Sequence, residues 1–363
     1  MRIGLVTFWK SNDNYGQVLQ SYALYKYIEE LGHQCFLIRY NDCYTPNIIS
    51  KFFTLLQLLR TPKRILGLFR RSTRLSVKQC VSGDRKFMAF RLSHMEQSDI
   101  LSSEQLMENA LHADGYVCGS DQIWGSPDPI MYLQFAHKGE KKVAYAPSFG
   151  GYYPNYYTRM LIRKYIKDFD FLSCRENSGV ELCKQLGRPD TVKFADPTLM
   201  HDAKFYSSIA KVPDLKENYI FLYMLGNETK FDMFRVYEFA KKENLKIVFV
   251  TGQHLANDEY QSTTPTIEEW IGYIKYSKYV VTNSFHGTVF SLIFHKKFMT
   301  IPLSGEFERM NDRIFDLLEP IHMTGRIYID TIECIRETIN FEHFDTYQEE
   351  ARTFVKKHIN SVL

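Results

Sequence analysis

Short apolar runs alternate with helix-length stretches along most of the chain, and that alternation limits the fold more than any other feature. Ile3–Phe8, Cys35–Arg39, Gly115–Cys118, Val143–Ala146, Phe169–Cys174 and Val192–Ala195 read as one series of strands. Tyr219–Met224, Lys246–Thr251, Tyr279–Val281 and Phe298–Ile301 read as a second series, which starts after Val212-Pro213-Asp214. Such alternation favours parallel sheets with helices on both faces. The helix after the first strand carries Leu24, Tyr27, Ile28 and Leu31 at helical spacing, with Gly32 as its stop. A chain of 363 residues is long for one core. The expectation is therefore an α/β protein of two Rossmann-like domains facing a central cleft. Residues 1–211 form the first, 212–345 the second, and 346–363 a helix packing back on the first.

Residues 47–91 interrupt the pattern as an inserted segment. Phe52, Phe53, Leu55, Leu56, Leu58 and Leu59 lead into a run from Arg60 to Arg91 that holds ten basic residues and one acid, Asp84. This segment suits an anionic membrane surface, or else an arm packed on its own domain with a solvated basic face. The net charge of +3 is too small for the whole chain to bind nucleic acid, and no recognition motif accompanies the basic run. The seven cysteines include no Cys-x-x-Cys pair, which suits a reducing cytoplasm and gives no zinc site. No signal peptide and no membrane-spanning run is expected.

In open α/β sheets, ligands sit beyond the carboxyl ends of the strands, and five polar clusters fall there. They are Asn12–Gln17, Gly119–Trp124, Ser148–Gly151, Ser173–Ser178 and Asp196–Thr198. The first contains Asn14 and Gln17 but no Gly-x-Gly-x-x-Gly, so a dinucleotide fingerprint is absent. Gly119 and Ser120 expose Asp121 in a short loop. Arg175 leaves a strand at the mouth of a helix, where a guanidinium holds a carboxylate or phosphate or simply pairs with Glu176 or Asp121. Asp196-Pro197 reads first as a turn device. Asp168-x-Asp170 precedes its strand, and no metal is assigned to it.

The segment Tyr279–Phe290 combines these signals: an apolar strand, the small polar turn Thr282-Asn283-Ser284, then His286-Gly287 opening an apolar helix. A helix start with small polar residues presents free backbone N–H groups to an anion. Gly287 leaves room for a ligand, and His286 supplies a group able to move a proton near neutral pH.

Taken in order, Asn14–Leu24, Gly119–Trp124, Ser148–Gly150, Arg175–Gly179, Asp196–Leu199 and Ser284–Thr288 resemble the polysaccharide pyruvyl transferase family. The resemblance implies a GT-B-like fold and phosphoenolpyruvate as donor. It also implies a sugar of a bacterial surface-polysaccharide precursor, such as a capsule precursor, as acceptor, and a pyruvate ketal as product. Relatives carry Arg-Leu-His where this chain has Ser284-Phe285-His286, so the cation gripping the donor is sought at Arg175, Arg309 or Arg313. His286 and Asp121 are the expected catalytic groups. Arg175, Asn283, Ser284, Gly287, Asn14, Gln17, Ser120, Arg313 and Arg309 are the expected binding residues, with no metal or cofactor. A polyprenyl diphosphate carrier for the sugar would place the protein in the cytoplasm at the inner membrane face. A nucleotide-sugar glycosyltransferase and a non-catalytic sugar-binding protein are the alternatives.

Overall fold

The computed structural model describes residues 1–41, 85–108, 111–225, 229–251 and 262–363. The insertion expected over 47–91 lies outside the described residues as far as position 84. Seven parallel strands form the first sheet: β1 (Arg2–Val6), β2 (Gln34–Asn41), β3 (Gln97–Ser102), β4 (Gly115–Gly119), β5 (Lys141–Tyr145), β6 (Phe171–Cys174) and β7 (Val192–Lys193). Their order is β3-β2-β1-β4-β5-β6-β7. Four more make the second: β8 (Tyr219–Met224), β9 (Lys246–Thr251), β10 (Tyr279–Thr282) and β11 (Lys297–Thr300), in the order β11-β10-β8-β9, also parallel. The strand order reverses between β1 and β4 in one sheet and between β8 and β10 in the other. Ligand crevices open at such points.

The helices are α1 (Tyr15–Glu30), α2 (Phe87–His94), α3 (Ser103–Met107), α4 (Tyr156–Ile166), α5 (Asn177–Gln185), α6 (Ala203–Ser207), α7 (Phe234–Lys242), α8 (Ile267–Tyr276), α9 (Phe285–Ile293), α10 (Asp312–Leu318) and α11 (Glu342–Ile359). Helix α1 has no solvent face along most of its length: twelve of its residues, Tyr15 to Ile28, are buried. An all-round buried helix must have partners on every side. It finds them because it runs between the first sheet and helices α8 and α9 of the second half. Tyr15 stacks on Trp270 of α8 with centroids 5.3 Å apart, and its hydroxyl donates to the Pro265 carbonyl at 2.6 Å. Helix α11 lies against the first half, where Gln348 Nε2 donates to the carbonyls of Leu199 and His201, both at 3.1 Å.

The ten strands expected from the sequence are present, with ends shifted by a few residues. The eleventh, β3, was not expected. It is a partly exposed edge strand, Gln-Ser-Asp-Ile-Leu-Ser, without the apolar run that marks the buried ones.

Candidate active site

Asp196 is the hub of the site. It follows β7 and enters a short 3-10 turn, Pro197–Met200, that proline starts. Its Oδ1 accepts from the Thr198 backbone N–H at 3.0 Å and from Thr198 Oγ1 at 2.7 Å. That leaves Oδ2 to three partners: Arg175 Nη1 at 2.8 Å, Ser120 Oγ at 3.2 Å and His286 Nε2 at 3.3 Å. Burial alone would raise the Asp196 pKa, but His286, Arg175 and Thr198 outweigh it and hold the carboxyl far below the usual range. Arg175 and Asp196 come from the first half and His286 from the second, so the cluster spans the cleft.

Arg175 leaves β6 fully buried, and Nη2 also lies 3.5 Å from Asp121 Oδ1. Burial opposes its charge, yet Asp196, Asp121 and Glu176 raise its pKa. Among the described residues its Nε has no partner. A second guanidinium, Arg313 of α10, sits beside it: Phe285 lies 4.8 Å from the Arg175 carbon Cζ and 5.7 Å from that of Arg313. Arg313 donates to the Met310 carbonyl and, with the Gln122 amide oxygen turned toward it, to Gln122 at 2.9 and 3.1 Å. No ion pair among the described residues includes it, and burial together with Arg175 lowers its pKa to about 10, still a cation at neutral pH. The space left between Arg175, Asp196, Phe285 and Arg313 is about 20 Å³. That is room for about one water molecule, so a larger anion requires the cluster to open.

Glu176 is the group that sequence reasoning underrated. It is buried, Oε1 accepts from Phe149 N–H at 2.7 Å and Ser148 Oγ at 3.1 Å, and Oε2 has no partner among the described residues. Burial raises its pKa more than Arg175, the Phe149 amide, Arg313 and Ser148 lower it. Backbone strain gathers here too. Asp121 (φ 63°) and Ala146 (φ 47°), just past the ends of β4 and β5, both adopt the left-handed conformation. Alanine pays about 1–2 kcal/mol for that, aspartate less.

Several of the expected binding residues also hold structural positions. Asn283 is not free for a ligand: Oδ1 accepts from Leu225 N–H at 2.6 Å and Nδ2 donates to the Leu225 carbonyl at 3.1 Å, tying β8 to β10. Gly287 packs against the end of β10, where a Cβ would lie 2.4 Å from Thr282 Oγ1. Ser284 caps α9, accepting from Gly287 N–H at 3.3 Å. Asn14 likewise caps α1 through Gln17 N–H at 3.3 Å. Arg309 is exposed, its backbone against Gly151 rather than in the cluster. The glycine that matters to the histidine is Gly16, which the sequence reading passed over: a Cβ on it would stand 2.1 Å from His286 Nδ1. Only a close view of the α1–α9 crossing reveals that. Gln17 and Gln122 line a separate cavity of about 570 Å³ at the ends of β1 and β4. A larger depression of about 940 Å³ runs along α7 and the start of β9, away from the strands' carboxyl ends.

Two parallel sheets joined across such a cluster define a pair of Rossmann-like units of the GT-B-like kind. A solved UDP-N-acetylglucosamine 2-epimerase matches with a TM-score of 0.50 at 8% identity, over 99% of this chain and 95% of that one. S. aureus MnaA, solved with UDP, gives 0.49 at 10% identity over 99% and 88%. An α-glucosyltransferase solved with UDP and a 13-mer DNA gives 0.48 at 11% identity over 99% and 90%. At such identities the likeness concerns the fold alone. No protein of curated function matches the sequence. The family is nonetheless clear. The family model described as polysaccharide pyruvyl transferase matches residues 14–305, and the chain belongs to that family of transferases. Among the described residues, no helix is long and apolar enough to cross a membrane.

Proposed function

We propose that the protein transfers the enolpyruvyl group of phosphoenolpyruvate to two hydroxyls of a sugar, forming a pyruvate ketal and releasing phosphate. One observation supports this above the rest: His286 and Arg175, from opposite halves, meet on one oxygen of Asp196 at 3.3 and 2.8 Å, with Arg313, in no ion pair among the described residues, beside them. Two guanidinium groups suit the carboxylate and phosphate of the donor, and Arg175 Nε is a buried donor without an acceptor among the described residues.

The chemistry requires a proton on the methylene carbon, which leaves an oxocarbenium-like centre at the neighbouring carbon. The first sugar hydroxyl attacks there and gives up its proton. The carbon–oxygen bond to phosphate then breaks, and the second hydroxyl closes the ring. One hydroxyl proton balances the new methyl group and the other leaves on phosphate. We assign the proton relay to His286, whose Nδ1 side is closed by Gly16, so that exchange runs through Nε2 and its partner Asp196. Asp121, held near Arg175, takes the hydroxyl proton, and the buried cations stabilise departing phosphate. We further place the sugar on a polyprenyl diphosphate carrier, and the basic residues from Arg60 to Lys78 would attract anionic lipid.

The test uses purified protein with phosphoenolpyruvate and lipid-linked oligosaccharides, following phosphate release. Arg313→Gln, Arg175→Gln and His286→Ala should each lower turnover by roughly a hundredfold or more. Phosphoenolpyruvate, not UDP, should raise the melting temperature of the wild type. Stabilisation by UDP alone would favour a nucleotide-sugar glycosyltransferase instead.

A further inference from the structure

The cavity of about 570 Å³ lies outside the ion cluster, and the roles assigned above leave it without an occupant. Its position is set by topology. Phe8 and Trp9 follow β1, Tyr40 is the penultimate residue of β2, and Gln122 and Asp128 follow β4, so it opens where the first sheet reverses its strand order. Its volume falls within the range of small-molecule sites.

The lining chemistry narrows the occupant. Aromatic and apolar walls combine with the uncharged amides of Gln17 and Gln122 and a single carboxylate, Asp128. Asp128 Oδ2 accepts from the Tyr40 hydroxyl at 2.7 Å and Oδ1 from the Ile130 N–H at 3.0 Å. Each carboxylate oxygen keeps a lone pair for another donor, and sugar hydroxyls are such donors. Among the described residues Lys10 is the only cation on the wall, so there a nucleotide's phosphates would meet a carboxylate with little to offset it. A donor phosphate therefore belongs with Arg175 and Arg313, and a neutral polyol belongs here. Gln122 connects the two places, lining this cavity while its amide holds Arg313.

We infer that this cavity seats one pyranose unit of the acceptor, and that the Tyr40–Asp128 pair selects it through its hydroxyls. The inference deepens the proposed function and rests on it for the reaction that follows binding. Binding itself is separable. Saturation-transfer NMR would use methyl galactoside, methyl glucoside, methyl mannoside, N-acetylglucosamine and uridine with wild type, Ser126→Trp and Tyr40→Phe. Ser126 is an exposed residue on the rim, so the indole fills the mouth without entering the core. Melting curves of both variants check the fold.

The expected result is transfer to at least one pyranose with wild type, its loss in Ser126→Trp, and about tenfold weaker binding in Tyr40→Phe. Pyranose binding unchanged in either variant, no pyranose binding at all, or binding of uridine alone would overturn the inference. Thermal stabilisation by phosphoenolpyruvate is measured in parallel and should be the same in wild type and Ser126→Trp. Its absence in a wild type that still binds a pyranose would count against pyruvyl transfer, not against the sugar seat.

Discussion

Asp196 shows how one side chain serves two ends. Reading Asp196-Pro197-Thr198 as a turn describes Oδ1, which caps Thr198, and misses Oδ2, which gathers Arg175 and His286 from 21 and 90 positions away. Local sequence reveals the first bond because it is local; the second exists only after folding. His286, Arg175, Asp121 and Ser120 were legible because each stands at a strand's carboxyl end, where the fold class alone predicts chemistry. Glu176 was not, since nothing in its neighbours tells a buried acid from a solvated one. Its raised pKa gives a prediction with a definite sign. A group that holds its proton more tightly when folded favours the fold below its ordinary pKa, 4.5, and loses that contribution as pH rises through the higher folded value. Glu176→Gln keeps an acceptor for Phe149 N–H and carries no charge. Urea unfolding between about pH 4 and pH 8 should show the variant gaining on wild type as pH rises. A constant difference would mean that folding leaves the Glu176 pKa unshifted.

Buried strands were legible because four to six consecutive apolar residues admit few other roles, whereas the edge strand β3 carries Asp99 and exposed Ile100 and looks like loop. Turns were harder. Asn283 and Gly287 have the composition of an anion site, yet Leu225 and Thr282 occupy them, because a tight strand–helix junction needs the same small polar residues as a ligand would. The crossing of α1 over α9 was invisible for a related reason: glycine at the contact is an absence of atoms. Gly16→Ala should push the imidazole off Asp196 or force the helices apart. We expect a loss of about 1–3 kcal/mol from overpacking, and a fall in phosphate release of tenfold or more. Calorimetry and the turnover assay measure these separately, and unchanged turnover would remove the imidazole's placement from the mechanism.

Across the molecule, the two halves share one apolar core, and buried polar contacts add to it. Arg85 donates from Nη1 to the Asp13 carbonyl and from Nη2 to the Thr251 carbonyl, both at 2.7 Å, linking the loop after β1 to the end of β9. Arg91 is fully buried and donates to the Ser11 carbonyl at 2.6 Å. The basic run therefore does not end as a lipid-facing or solvated surface: its last two arginines are struts. Arg85→Ala should cost about 2 kcal/mol, the worth of charged hydrogen bonds, read as a lower urea midpoint at unchanged slope. Asp316 adds another tie, accepting from Asn177 N–H at 2.7 Å and Nδ2 at 2.8 Å. Since the imidazole reaches the shared carboxylate oxygen from across the gap, separating the halves by even a few ångströms would leave the guanidinium as its only strong partner. On the reaction proposed above, an enol ester arriving at the gaping form would then find no competent proton donor, so water entering with it could not be turned into a wasteful second substrate.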